Sequence, residues 1–534
     1  MPLVKESRHQ FIIGDKNMNK NPFRFFCMKN YFNKALVVAV ILLSSPVSAT
    51  NSTAHIQGVF GALHDWPIIP IAMMSMPDGR VFAYGTNLTG LQGAKMYYTI
   101  WDPSLGTGNN AFTVLPNTTN TDIFCAGQSI IPATGQALIV GGDALVNGQR
   151  NYANSDVNIF DPETDTLIRQ SQQMAYKRWY ATTVALPNGE HAILGGRNDK
   201  FFAGNNTFPG TVASYSPIPE LRKADGSWHS LTTATSDYAY GALGASSWYY
   251  PRAWVNPQGD IFILGHYDAA FKLNLSGTGT ITKYQTTKPK GGRWELPSVM
   301  FSPGKILSLR RDKVAVVVDI NSTRDPTVTS AGTVSMERLF GNATVLADGK
   351  VWVNGGSSSG NTLTGATLTT ELWDPTTNTW TATANAAAVR LYHSASLLLN
   401  DGSVMTGGGG APGPIKQLNG EIYYPPYLFK KDGSGELAPR PAILDAPNNT
   451  ISWNQEFAIE ANETIHRVTL LRLGAVTHNL DVEVRFFDLS FEQPNNIVTA
   501  KSPATANIAP PGYYQLFIWN SSGVPSIAKV IHIN

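Results

Sequence analysis

The chain has little cysteine and little charge, and each shortage excludes something. Two of its 534 residues are cysteine, Cys27 and Cys125, so no disulfide framework holds it together. Charged residues make up 15% of the chain, well below the roughly 25% usual in soluble proteins. The formal net charge of +2 is too small to mark a nucleic-acid or anionic-membrane partner. Histidine is scarce, with ten copies, so one in an unusual setting stands out. After residue 49 no segment approaches the ~20 apolar residues that span a bilayer, and none shows helical periodicity.

What is present is apolar material, glycine and proline. Hydrophobic residues make up 43%, with 48 Gly and 33 Pro, a composition of short strands joined by tight turns. The length predicts two or more domains. Residues 1–49 carry seven Lys/Arg and two Asp/Glu, which leaves 33 basic and 36 acidic side chains, near −3, in the remainder. Within that stretch "MKNYFNKALVVAVILLSSPVSAT" reads as an export signal. Lys29 and Lys34 precede the apolar run Ala35 to Leu43, and Val47-Ser48-Ala49 is a small-residue cleavage site. Met28 is a candidate second start. The mature protein is expected in a periplasm or outside the cell, with Cys125 as its one cysteine. A lone thiol there has four fates: an intermolecular pair, a reactive group, another covalent bond, or burial as an inert hydrophobe.

One pattern recurs along the chain: an apolar strand, a glycine turn, a second apolar strand, then glycines. It runs through "AMMSMPDGRVFAYG" (72–85), "CAGQSIIPATGQALIVGG" (125–142) and "RWYATTVALPNGEHAILGG" (178–196). It continues in "RAWVNPQGDIFILG" (252–265), "ELPSVMFSPGKILSLR" (295–310), "RLFGNATVLADGKVWVNGG" (338–356) and "RLYHSASLLLNDGSVMTGGGG" (390–410). Most copies are followed by a strand that ends near a Pro turn, such as "VNIFDPETDTL" or "TELWDPTTNTW". Repetition at about 50 residues is the kelch period, and the seven copies predict a seven-bladed all-β propeller over residues 50–430. The polar stretch 431–441 reads as a linker. Residues 442–534 lose the period but keep alternating apolar strands, which predicts a small immunoglobulin-like β-sandwich.

The chemistry-bearing residues gather at one repeat position. Cys125 opens the inner strand of the second copy. Tyr180 lies at the start of the third and Tyr392-His393 at the start of the seventh, with Tyr180 and Tyr392 at matching positions. Equivalent positions of successive blades converge on one end of the central channel. The pattern thus gathers two phenols, an imidazole and a thiol, and a tetragonal set of N and O donors favours Cu(II). His478 sits apart, in "RLGAVTHNLD" of the C-terminal region. Taken singly, each of these residues also fits a plain structural role, with the tyrosine rings in the core and the histidines hydrogen-bonded.

Taken together, "DIFCAG", "RWYATT", "RLYHS" and "GAVTHN", in this order, resemble the galactose oxidase and glyoxal oxidase family of copper radical oxidases. The ending "PPGYYQLFIWNSSGVPSIAKVIHI" is similar as well, and the resemblance spans most of residues 60–534. It implies one copper ion per chain, with Tyr180, Tyr392, His393 and His478 as its ligands. It implies a thioether between Cys125 and Tyr180, which would consume the lone thiol and let Tyr180 hold a radical. Tyr392 would be the axial ligand and the general base. The implied reaction is two-electron oxidation of a small aldehyde or primary alcohol, with O2 reduced to hydrogen peroxide.

The substrate end departs from galactose oxidase. That enzyme has a tryptophan over the crosslinked pair, two residues after a Gly-Gly. Here Gly195-Gly196 is followed by Arg197 and Asn198. Asn198 cannot stack on a sugar as an indole does, which argues against galactose, and "RWY" looks more like the glyoxal oxidases. Within "YYPRAWV" (249–255), Arg252 is either a substrate contact or a solvent-facing side chain. The expected partners are a small aldehyde or alcohol and O2, with no nucleic acid, no membrane span in the mature form, and a monomer as the simplest assembly. Two rival readings stand. One is a non-catalytic propeller that binds polysaccharide or protein. The other is a hydrolase or lyase, for which Asp122 is the nearest acid and lacks a second carboxylate at an equivalent position.

Overall fold

A computed structural model describes residues 51–198, 215–241, 247–265, 268–287 and 289–534. The segment expected to be an export signal, with its cleavage site and Cys27, lies outside the described residues. The described chain is built from β-strands, with two four-residue α-helices, Ala54–Gln57 and Asp237–Tyr240.

Each sequence repeat forms one four-stranded antiparallel group. In the first, Ala72–Ser75, Val81–Tyr84, Tyr97–Trp101 and Phe112–Pro116 pair in chain order. Asp78-Gly79 makes the first hairpin turn, and Gly79 takes φ +90°, which a side chain would resist. Among the described residues seven such groups follow one another. The seventh is completed from the other end of the chain: Val59–Phe60 pairs with Tyr423 and Tyr424 on the strand Asn419–Tyr424. The first strand of each group is almost wholly buried, whereas last strands such as Thr280–Lys283 are largely exposed. First strands of most neighbouring groups pack side by side, and Ser394–Leu398 of the seventh contacts Ala72–Ser75 of the first. The hydrophobic driving force is thus concentrated where the groups meet.

Three groups share one buried ion-pair latch. Arg178 donates to Glu220 at 2.9 Å and to the Gly195 carbonyl at 2.6 Å. Arg338 repeats this with Glu371 and the Gly355 carbonyl, and Arg390 with Glu421 and the Gly408 carbonyl. Each glutamate also accepts a backbone N–H three residues before its arginine, from Ala175, Ser335 and Ala387. With every charge paired and hydrogen-bonded, burial is tolerated. Each latch holds the chain where a first strand begins, and those of Arg178 and Arg390 flank Tyr180 and Tyr392-His393.

Residues 443–533 form two further four-stranded sheets around their own apolar core, which includes Ile459, Leu470, Val498 and Leu516. One hairpin leaves this region. Ala475–Thr477 pairs antiparallel with Ala72–Ser75, and Leu480–Asp481 pairs parallel with Ser298–Ser302. It therefore lies between the first strands of the first and fifth groups and joins them into one ten-stranded sheet.

Candidate metal centre

That hairpin has a two-residue loop, because Thr477 pairs with Leu480. The loop residues His478 and Asn479 both have positive φ, +47° and +58°. A right-twisted hairpin demands this at both positions, and Asn-Gly is the usual solution. A histidine there is strained, and strain of this kind marks functional sites. Cys125, Tyr180 and His393 share the feature, with φ of +54°, +69° and +69°. All four side chains are buried.

The backbone laces these loops together. Tyr180 N–H donates to the Cys125 carbonyl at 3.0 Å, and Tyr250 N–H donates to the Tyr180 carbonyl at 2.9 Å. Asp122 accepts the Phe124 N–H at 3.1 Å and so holds the turn that presents Cys125. Asp122 and Asp143 both bond Arg150, at 2.8 and 3.1 Å. Burial and the nearby Asp122 push Asp143 up to about 6. Asp122 and Asp143 belong to the same repeat, and Arg150 and backbone amides occupy the pair.

The side chains of these loops meet at one point. Cys125 Sγ lies 3.8 Å from His393 Nε2 and 3.5 Å from His478 Nε2. The Tyr180 and Tyr392 hydroxyls lie 2.7 Å apart. Both imidazoles are fixed with Nε2 facing inward. His393 Nδ1 is 2.6 Å from the Gly410 carbonyl, which can only accept, so Nδ1 carries the proton. His478 Nδ1 is 2.6 Å from Thr477 Oγ1, whose own proton goes to the Ile71 carbonyl. Both Nε2 atoms therefore keep a free lone pair, the state a metal needs. Burial lowers His393 to about 3 and His478 well below its usual range, so both are neutral. Burial raises the Cys125 thiol and both phenols, so each holds its proton until something displaces it. Two imidazole nitrogens and two phenol oxygens fit copper by donor type.

Position matching between Tyr180 and Tyr392 needs one correction. Ala181 pairs with Gly195 three residues after Arg178, and Gly341 pairs with Gly355 three residues after Arg338. In the seventh group Ser394 pairs with Gly408 four residues after Arg390. One extra residue is accommodated there. The left-handed position held by Tyr180 and Phe340 passes to His393, and Tyr392 precedes it. That insertion lets one loop supply both an imidazole and a phenol.

Arg252 is not solvent-facing. It is buried, and its guanidinium donates to the Asn479 side chain and, at 2.7 Å, to the Trp294 carbonyl. Asn479 in turn donates to the Glu295 carbonyl at 2.8 Å, so Arg252 fastens the His478 turn. Asn198 is half-buried, and its amide donates to the Tyr215 carbonyl at 3.1 Å. The ring that stacks on Tyr180 is Tyr249, with centroids 4.1 Å apart and planes at 24°. Its hydroxyl also hydrogen-bonds the Tyr392 hydroxyl. Tyr249 stood within "YYPRAWV", but nothing local distinguishes a stacking tyrosine from a core one. Phe340, edge-on to Tyr392 at 5.1 Å, was legible as the ring two residues after a latch arginine.

Residues 440–533 match the galactose oxidase-like early set domain. Over 518 residues the chain is 27% identical to a galactose oxidase of Gibberella zeae, covering 91% of this chain and 72% of that one. It is 23% identical over 500 residues to aldehyde oxidase GLOX1 of Arabidopsis thaliana, covering 81% of this chain and 75% of that one. Among solved structures, a fungal alcohol oxidase of the AA5 family in complex with copper superposes with a TM-score of 0.76. It has 22% sequence identity and covers 89% of this chain and 99% of that one, a likeness of fold.

Proposed function

We propose that this chain, similar along 91% of its length to galactose oxidase, is an exported copper radical oxidase of small aldehydes or primary alcohols. Two electrons leave the substrate, and O2 is reduced to hydrogen peroxide. The observation that carries this reading is the meeting of Cys125, Tyr180, Tyr392, His393 and His478 at one buried point, with both Nε2 lone pairs turned inward. The seven groups are read as the blades of a propeller and residues 442–534 as its immunoglobulin-like companion. Residues 50–430 and 431–441 are then propeller and linker, and 1–49 are removed on export.

His393, His478, Tyr180 and Tyr392 would hold the copper. Copper bound there would supply a one-electron acceptor and a Lewis acid that makes a substrate hydroxyl more acidic. Cys125 would be joined to Tyr180 by a thioether, which lowers the cost of taking an electron from the ring. Tyr392, bonded to both Tyr180 and Tyr249, is placed to receive the substrate hydroxyl proton. The Tyr180 radical would take hydrogen from the substrate carbon. Asn198 is the proposed polar contact for substrate. Arg252, spent on Asn479 and the Trp294 carbonyl, is assigned to holding the His478 turn instead of substrate.

A second reading has one observation in its favour. Cys125 Sγ and the two imidazole nitrogens all lie within 4.8 Å of one another. A thiolate and two imidazoles are the ligands of electron-transfer copper sites. Copper stoichiometry together with peroxide release on a panel of aldehydes, primary alcohols and galactose separates the readings. Peroxide formed in step with substrate loss supports the oxidase; bound copper without turnover of any substrate supports electron transfer.

A further inference from the structure

The aromatic contacts of Tyr180 do not end at Tyr249. Trp294 packs on Tyr249 with centroids 3.9 Å apart. Tyr180 and Tyr249 are buried, whereas Trp294 is partly exposed. Tyrosine and tryptophan are the most easily oxidised aromatic side chains. Three of them therefore run in contact from the buried centre to solvent. Further oxidisable rings against Tyr180 include Trp179, Trp248 and Tyr250. All three are buried, whereas Trp294, at the end of the Tyr249 branch, is partly exposed, as is Tyr392, whose hydroxyl hydrogen-bonds Tyr180 directly.

We propose that Tyr249 and Trp294 form an electron relay between Tyr180 and the protein surface. The proposal rests on the oxidase reading above. A radical ring this deeply buried cannot be touched by a bulky oxidant, yet a centre that has lost its radical has to be reoxidised before it can turn over. In the relay, one electron leaves the Tyr180 phenolate, passes through Tyr249 and Trp294, and reduces a soluble one-electron metal-complex oxidant at the surface. Tyr180 becomes the phenoxyl radical, the oxidant gains one electron, and both relay rings end unchanged. The same path lets outside reductants quench the radical, so the surroundings set the fraction of active enzyme.

The test uses copper-loaded, crosslinked protein whose radical has been discharged with ferrocyanide. It is mixed with ferricyanide, and bleaching of the oxidant is followed in a stopped-flow instrument. Wild type is expected to consume one equivalent per chain. Trp294→Phe and Tyr249→Phe are expected to consume the same equivalent about tenfold more slowly, a barrier rise of about 1.4 kcal/mol. Trp294→Tyr, which restores an oxidisable ring, is expected to recover the rate; a packing role would not separate Phe from Tyr in this way. Equal rates in wild type and both phenylalanine variants would overturn the relay alone. Wild-type protein that consumes no oxidant would overturn the oxidase reading and the relay with it.

Discussion

The hydroxyl oxygens of Tyr180 and Tyr392 lie 2.7 Å apart although 212 residues separate them in sequence. In the proposed reaction Tyr392 takes the proton of a substrate bound beside Tyr180. Removing one hydroxyl tests that role without touching the proposed thioether. Tyr392→Phe should still lose two hydrogens when the crosslink forms. Its oxidation rate should fall by roughly 10²–10⁴, the usual contribution of a positioned general base. Peroxide release at saturating substrate, read beside intact mass, checks both halves.

The Arg390–Glu421 latch supports the loop that carries Tyr392 and His393. Both members are buried, and Glu421 also accepts the Ala387 N–H at 2.6 Å. Glu421→Ala would leave the arginine charge buried and unpaired. Loss of one partner from such a pair costs about 3–5 kcal/mol. Denaturant unfolding of the metal-free protein should show that loss, and copper affinity should fall with it.

Asn479 joins the His478 turn to Arg252 and the Glu295 carbonyl. Asn479→Ala should cost about 1.5–3 kcal/mol, the range for a hydrogen bond to a charged group. Its effect on copper affinity should exceed that of Asn462→Ala, an exposed asparagine of the same region. Calorimetric copper titration of the two variants makes the comparison.

Acid sensitivity should arise in part from a histidine outside the candidate metal centre. His191 is fully buried on the strand His191–Arg197, and burial lowers it to about 3. The unfolded chain takes up that proton near the ordinary histidine value of about 6.5. Below it the unfolded state binds more protons than the folded state, so stability falls as pH falls. The contribution is full above about 6.5 and is lost progressively down to about 3, at about 1.4 kcal/mol per unit. His191→Gln should flatten this part of the profile, measured by urea unfolding at stepped pH.

Much of the architecture was legible because glycine turns and apolar strands repeat with a fixed spacing. The Asp78-Gly79 hairpin and the strands flanking it stand where the sequence placed them. The candidate site residues stood out in the sequence because Tyr180 and Tyr392-His393 follow latch arginines, His478 begins the His-Asn turn, and Cys125 is the one cysteine after the export segment. What stayed hidden depends on register and on distant contacts. The extra residue after Arg390 shows only once Ser394 is seen to pair with Gly408. Arg252 reads as either a substrate contact or a solvent-facing side chain until its partners, Asn479 and the Trp294 carbonyl, are located. Tyr249 stacks on Tyr180 from the next group, a contact that no local feature of its own segment announces.

The most direct test of the central claim is intact mass of the mature protein before and after aerobic Cu(II), with peptide mapping of Cys125 and Tyr180. The expected result is loss of two hydrogens and one linked peptide pair containing both residues. A fully copper-loaded protein that keeps a free thiol on Cys125 would contradict it.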